Sequence, residues 1–482
     1  MATATHPSES EMDSGSTDNA ETERVDSLLG HQGRTDRPSD PQAEQPGDHD
    51  ADDPDHYDWS LGLPIITAGT LIVLSSVLLS PGIEQIKQHF AEVAGDGQSG
   101  GWFSSPDLLS KMMVTTPAVV VMLVAPFGGF LVDRIGRRPI LLFGLAVFGI
   151  AGAGGGLLSS PWALIASRVG LGIGVTSILL ATRTLIGDFF DGSERKTMLG
   201  TQIVVLCILS TIGMFAAAYL VGYSWRYPFA LHLISLMLLP WAWKQIEEPD
   251  IESQSQAEAS EQDQGDATID WYTVTLIYAA AFTALMIFHL ATTQIPEYLG
   301  TLGYESPYAV AIMITLINIV SIPSALAFQP ASDRISHQTM LLLVFAAGGI
   351  GFLVAGLTQS IVALTIGLVL FASFYGFRTP AYNAWLLDVA PAKYRGRIMA
   401  GLTAACFAGM FFSPLISNPL KSWIGMQGVL LTAAGMQTVF TAAFVYFAFK
   451  RNPSKDNDPS SEPKHRSAIA EFAAKTKAAV AS

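Results

Sequence analysis

Residues 128–139 read Gly128-Gly129-Phe130-Leu131-Val132-Asp133-Arg134-Ile135-Gly136-Arg137-Arg138-Pro139. Apolar chain lies on both sides of this short charged turn, and each flank is long enough to cross a hydrocarbon layer about 30 Å thick. Similar runs recur at about 61–84, 108–130, 139–158, 162–187, 197–221, 227–245, 271–293, 307–329, 339–357, 361–386, 398–420 and 426–449, which makes twelve spans. In lipid the backbone must satisfy its hydrogen bonds internally, so continuous apolar runs predict helices. A β-barrel would instead show alternating segments of about ten residues. Half of the 482 residues are hydrophobic and the mean hydropathy is +0.37, too apolar for an ordinary soluble surface. The fold class expected is an all-α membrane protein.

The net charge of −14 is unevenly placed. Residues 1–56 hold 15 acids and 3 bases, and residues 246–270 hold 9 acids and no base, so the rest of the chain is positive by 7. Both acidic stretches lack aromatic and β-branched clusters, which predicts a disordered tail over 1–58 and an acidic linker over 246–270. A second tail is expected over 450–482, leaving two bundles at 59–245 and 271–449. Lys and Arg crowd the loops on one side, with Arg134, Arg137, Arg138, Arg195, Lys196, Lys244, Arg334, Lys393, Arg395 and Arg397 against mainly Lys87, Arg226 and Lys421 on the other. That bias places both termini and the linker in the cytoplasm, and the chain in the cell (inner) membrane. The first 60 residues are polar, and the first apolar run is too long for a cleaved signal peptide.

The chain repeats itself at an offset of about 200 residues. Asp133-Arg134-Ile135 returns as Asp333-Arg334-Ile335, Asp188 and Arg195 as Asp388 and Arg395, and Lys196-x-Met198-x-Gly200 as Arg397-x-Met399-x-Gly401. Cys207 lies close to the counterpart of Cys406, and neither cysteine suggests a disulfide or a metal spacing. Two parallel six-helix halves follow, an arrangement that places a solute site between them near the bilayer midplane.

The opening turn has its own chemistry. Glycines such as Gly128 and Gly129 at a helix end let a neighbouring helix approach. Asp133 is suited to pair with an arginine or to cap a helix from another segment. A carboxylate held between helices and the cluster Arg134, Arg137 and Arg138, turned by Gly136, predicts a latch whose breaking is costly. The alternative is that the arginines only fix topology.

This stretch resembles the signature loop of the major facilitator superfamily between its second and third helices. The copy Gln329-Pro330-Ala331-Ser332-Asp333-Arg334 falls between the eighth and ninth spans, with Ser336-His337-Gln338 where the first copy has Gly136-Arg137-Arg138, so a weaker second latch is expected. Arg168-Val169-Gly170-Leu171-Gly172-Ile173-Gly174 and Ser224-Trp225-Arg226-Tyr227-Pro228-Phe229 are similar to further elements of that family. The resemblance covers roughly 59–449 and implies twelve helices in two pseudo-symmetric bundles and secondary transport, most commonly powered by protons. It also implies a monomer. The fifth span reads Cys207-Ile208-Leu209-Ser210-Thr211-Ile212-Gly213-Met214-Phe215-Ala216, without the Gly-Pro element of many exporters in the family.

Ionisable residues inside spans are costly and therefore candidates for function. Arg168 lies about two turns into the fourth span. Its matching residue in drug–proton antiporters is thought to assist proton exchange, and the alternative is a structural hydrogen-bond donor. Arg378 lies deep in the tenth span beside Tyr375, Tyr382 and Asn383, with Pro380 as a local break, and suits an anionic or zwitterionic substrate or a paired structural arginine. Arg183, five residues before Asp188, suggests a gate or an ion pair. His289 in the seventh span is a candidate protonatable group, as are Glu84 and Glu297 at outer helix ends, the alternative for each being a helix-end or packing role.

No Gly-rich phosphate loop with Lys, metal cluster or nucleophile elbow occurs, so no enzyme, cofactor, metal or nucleic-acid partner is expected. The leading expectation is a proton-coupled exporter of a small organic compound, with the lipid bilayer as the surrounding partner. Its rivals are a proton-coupled importer of a polar or anionic solute and a non-transporting membrane sensor or scaffold.

Overall fold

The computed structural model describes residues 59–94, 105–190, 192–248, 269–391 and 394–450. The expected tails, most of the linker and the side chain of Arg195 lie outside the described residues. All regular elements among those residues are helical. We label the spans α1 (Trp59–Val93), α2 (106–135), α3 (Arg137–Leu157), α4 (Pro161–Phe189), α5 (Gly192–Val221), α6 (227–245), α7 (Trp271–Thr301), α8 (Pro307–Leu326), α9 (His337–Leu357), α10 (Ile361–Val389), α11 (395–424) and α12 (426–450).

Ten helices among the described residues meet the length and hydropathy needed to cross a membrane. Two features raise that to the twelve expected. The 53-residue run Arg395–Phe447 would extend about 80 Å at 1.5 Å per residue, far more than one crossing, and Gly425 interrupts it with φ 71° and ψ 175°. The sixth span is a 3₁₀ turn, Tyr227–Leu233, running into the helix Ile234–Gln245, so neither piece is long enough alone.

Local chemistry starts and stops these helices. Proline occupies the first turn of the segments beginning at Pro106, Pro117, Pro161 and Pro307, where its missing N–H costs nothing. The side chains of Ser105, Asp270, Ser306 and Ser336 accept from backbone N–H groups of the first turns of α2, α7, α8 and α9. Leu123, Ile150, Leu157, Met237 and Val439 stand exposed on the outer faces, a surface suited to acyl chains and not to water.

Odd-numbered helices run from the end of the bundle containing Gly136 to the end containing Gly425. One buried apolar cluster draws almost entirely on α1–α6, with Phe407 packed against it, and another entirely on α7–α12. A third belongs to the second half but takes in Val77, Met214 and Ala218 from the first, so the halves share an apolar seam. α5 lies along α8 on one side of that seam.

Candidate functional site

At the Gly136 end, Gly136 has φ +99°, a backbone conformation that only glycine adopts readily, and this lets α3 start one residue after α2 stops. The exposed N–H groups of that start are capped by Glu248, whose carboxylate accepts from Arg137 N at 2.6 Å and Arg138 N at 2.8 Å. Arg138 donates to the Trp243 carbonyl at 2.7 Å and lies 5.3 Å from the Trp243 ring centroid. Arg137 reaches across to α4 and donates through Nε to Asp188 at 3.0 Å, with 8% and 14% of the two side chains exposed.

Two expectations for this turn are corrected. Asp133 is not held between helices: its side chain is 68% exposed, and it meets Arg137 of the next helix at 3.5 Å. The partner shielded between helices is Asp188, half-buried against the buried Arg137. Gly129 has nothing within 4 Å of the place a Cβ would take, and the close helix contact falls instead at Gly128, against Leu180. Arg134 is exposed, 6.0 Å from the Phe130 ring.

The second copy has the same plan with different chemistry. His337 stands where Arg137 stands in the repeat and meets Asp388 at 3.3 Å, as Arg137 meets Asp188. Asp333, Arg334 and Arg395 are exposed. The ion pairs described at this end lie within one half or the other.

The Gly425 end is the opposite. Lys111 of α2 is 1% exposed, and its ammonium donates to Glu297 at 2.8 Å, Gln294 at 2.9 Å, Asn418 at 3.0 Å and Asp107 at 3.2 Å. Lys421 of α11 reciprocates, donating to Asp107 at 2.8 Å and to Glu297 at 2.7 Å. Lys87 pairs with Glu84 at 3.2 Å and stands 3.8 Å from Asp107. Each half thus sends a lysine into carboxylates that include the other half's, and Gln294 Nε2 closes the set by donating to Ser417 at 2.7 Å. Such a set is stable only while complete, because a buried charge stripped of its partner is costly. The sequence pointed to Glu84 and Glu297 but missed Asp107, Gln294, Asn418 and the role of Lys111. Their only signal was polar residues at outer helix ends.

Between the two ends lies a groove with an excess of positive charge. Arg183 of α4 is exposed although it sits within a span, and it donates to Thr403 of α11 at 3.0 Å, so it faces the other half. Arg378 belongs to the other half, on α10, its guanidinium 4.6 Å from the Tyr375 ring centroid. Cys406 is within electrostatic range of both arginines. Neither arginine forms an ion pair with a carboxylate among the described residues.

α10 is broken here, but not at Pro380 as expected. The helix Ile361–Ser373 gives way to a 3₁₀ turn at Tyr375–Phe377, and Arg378 is the first residue of a second helix, Arg378–Val389. Pro380 falls in the first turn of that helix, where it is tolerated. The break fits tightly on α8: a Cβ at Gly376 would strike the backbone of Ser321 and Ala325, and Gly376 N donates to Ser324 Oγ at 3.1 Å. Tyr375 stacks on Phe288 of α7 at 5.3 Å and 13°. His289 is 5% exposed with Nδ1 on the Leu285 carbonyl at 3.1 Å, and Arg378 lies within its electrostatic range. Tyr382 is buried on the inner segment, where Asn383 is half-buried.

Arg168 belongs to none of this. It is 0% exposed, donates to the Gly152 carbonyl of α3 at 2.8 Å and lies 4.8 Å from the Phe229 ring centroid of α6. It ties three helices of one half together, well away from the groove.

A profile of the Major Facilitator Superfamily matches residues 65–358 and 305–481. The chain is 22% identical over 369 residues to the 3-(3-hydroxy-phenyl)propionate transporter of Escherichia coli (strain K12), covering 75% of this chain and 87% of that protein. It is 23% identical over 318 residues to Multidrug resistance protein 2 of Bacillus subtilis (strain 168), covering 64% and 78%. Among solved structures, the xylose transporter XylE from E. coli in a partially occluded inward-open conformation aligns with a TM-score of 0.66 at 14% identity, over 83% of this chain and 99% of that one. At that identity the likeness is one of fold.

Proposed function

The chain belongs to the major facilitator superfamily, and from that premise we propose that it takes up a small organic solute together with protons by alternating access. It is a multi-pass membrane transporter and not an enzyme. The observation that carries the mechanism is the contrast between its ends. Lys111 and Lys421 bind the halves to each other at the Gly425 end, whereas the Arg137 and His337 pairs stay within their halves at the Gly136 end. Halves joined by ion pairs at one end and, among the described residues, by none at the other are the starting point for a rocking motion around a site between them.

The charge bias of the loops supports a cytoplasmic Gly136 end in a cell membrane. The Gly425 network is then the external gate. Removing the charge of Asp107 or Glu297 would leave two lysines facing one carboxylate and so favour opening there. Export was expected partly from Arg168 as a proton-exchange group. Its burial against Gly152 and Phe229 removes that support, and the exporter element of α5 is absent, so uptake is the better reading.

The test is uptake into proteoliposomes of defined orientation, with a panel of small organic solutes led by 3-(3-hydroxyphenyl)propionate. Accumulation should follow an inward proton gradient and vanish with a protonophore. Accumulation driven only by the reversed gradient refutes uptake and restores export.

A further inference from the structure

At the break in α10 two donors lack acceptors. Arg378 Nε and Tyr375 Oη are buried atoms with no hydrogen-bond partner among the described residues. Buried donors are almost always satisfied. Both lie on the same stretch of α10, and Tyr375 is within electrostatic range of Arg378. Arg183 brings a second guanidinium from the opposite half, held by Thr403 and without a carboxylate partner among the described residues. The start of the inner segment of α10 at Arg378 adds the positive end of a helix dipole.

The same stretch carries a half-buried aromatic pair, with Tyr375 stacked on Phe288 at 5.3 Å. Cations, an unpaired hydroxyl and stacked rings side by side fit a ligand with an anionic end and a flat apolar body.

We propose that the groove between the halves binds an aromatic carboxylic acid, its carboxylate on Arg378 with Arg183 closing from the other half, and its ring against Tyr375 and Phe288. The carboxylate supplies the acceptors that the α10 donors lack, in the planar geometry a guanidinium matches best. Arg183 and Arg378 come from different halves, so the same anion draws the halves together. This rests on the groove being the transport site.

The test is calorimetric binding to the purified full-length protein in detergent, with three probes of nearly one shape: 3-phenylpropionate, its uncharged amide, and 3-cyclohexylpropionate. The acid should bind at least tenfold more tightly than the amide and several-fold more tightly than the cyclohexyl acid. Arg378→Gln should weaken the acid at least tenfold and leave the amide unchanged, while Arg378→Lys recovers part of the loss. Tyr375→Leu should erase the preference for the phenyl ring and keep the preference for charge. Equal binding of acid and amide, no binding of the acid at millimolar concentration, or an unchanged acid preference in Arg378→Gln overturns the proposal. Charge-selective binding without gradient-driven uptake would sink the transport reading and leave the site. Uptake that survives Arg378→Gln unaltered would do the reverse.

Discussion

Replacing Lys111 by methionine keeps the length and apolar stem of the side chain and removes only the ammonium. In the closed Gly425 end, that ammonium contacts two carboxylates and the side-chain carbonyls of Gln294 and Asn418. Breaking a fully buried pair costs about 3–5 kcal/mol. Glu297 and Asp107 keep 21% and 23% of their side chains exposed and retain Lys421, so the loss here is nearer 2–3 kcal/mol. The partners on α7 and α11 leave Lys111 when the halves separate, so most of this loss falls on the closed state alone. An equilibrium shifted by 2–3 kcal/mol moves about 30- to 150-fold toward opening at that end. Spin labels at Gln88 and Ser422, exposed positions on opposite halves, report the separation by pulsed double-resonance distance measurement, with Cys207 and Cys406 replaced by serine. The Lys111→Met protein should show a longer-distance population that the parent lacks. An unchanged distance distribution, in a protein that still folds, refutes the view that this network holds the end shut.

The two acids at the Gly136 end should separate sharply. Asp188→Asn leaves buried Arg137 with only the exposed Asp133 as a charge partner and should destabilise the detergent-solubilised protein by about 1–3 kcal/mol, seen as a lower midpoint in thermal unfolding. Asp133→Asn removes only an exposed contact and should change stability by less than about 1 kcal/mol. Gly136→Ala meets both an unfavourable φ and Glu248 Oε1 2.9 Å from its new Cβ, so a loss of about 1–3 kcal/mol is expected by the same assay. His337→Ala removes the partner of Asp388, whose side chain is 63% exposed, and should change stability by less than about 1 kcal/mol in the same assay. A loss as large as that of Asp188→Asn would show that the second pair carries as much as the first.

How much of this was legible in the sequence depends on the range of the contact. Spans, turns and the two-fold repeat come from local patterning, and Gly136 and the Ser and Pro helix starts act within a few residues. The Gly425 network is built from contacts between residues 186, 307 and 314 positions apart, so no window of sequence brings Lys111 to Glu297, to Asn418, or Asp107 to Lys421. The misplaced break in α10 has the same origin. Pro380 is the visible helix breaker, but the break sits where Gly376 allows α8 to press in, a tertiary contact that local propensity does not encode.

The repeat explains why one end was the easier to read. Arg137–Asp188 and His337–Asp388 occupy matching places in the two halves, so each half's internal tie is written twice and its register follows from the offset. Contacts between the halves have no such second copy. Lys111 and Lys421 come from α2 and α11, which are not repeat partners, and each answers a carboxylate of the opposite half. Duplication therefore supplied two rigid bodies with their own internal ties. What makes them a machine is the unduplicated set that joins them, ionic at the Gly425 end and, through Arg183 and Arg378, awaiting an anion in the groove.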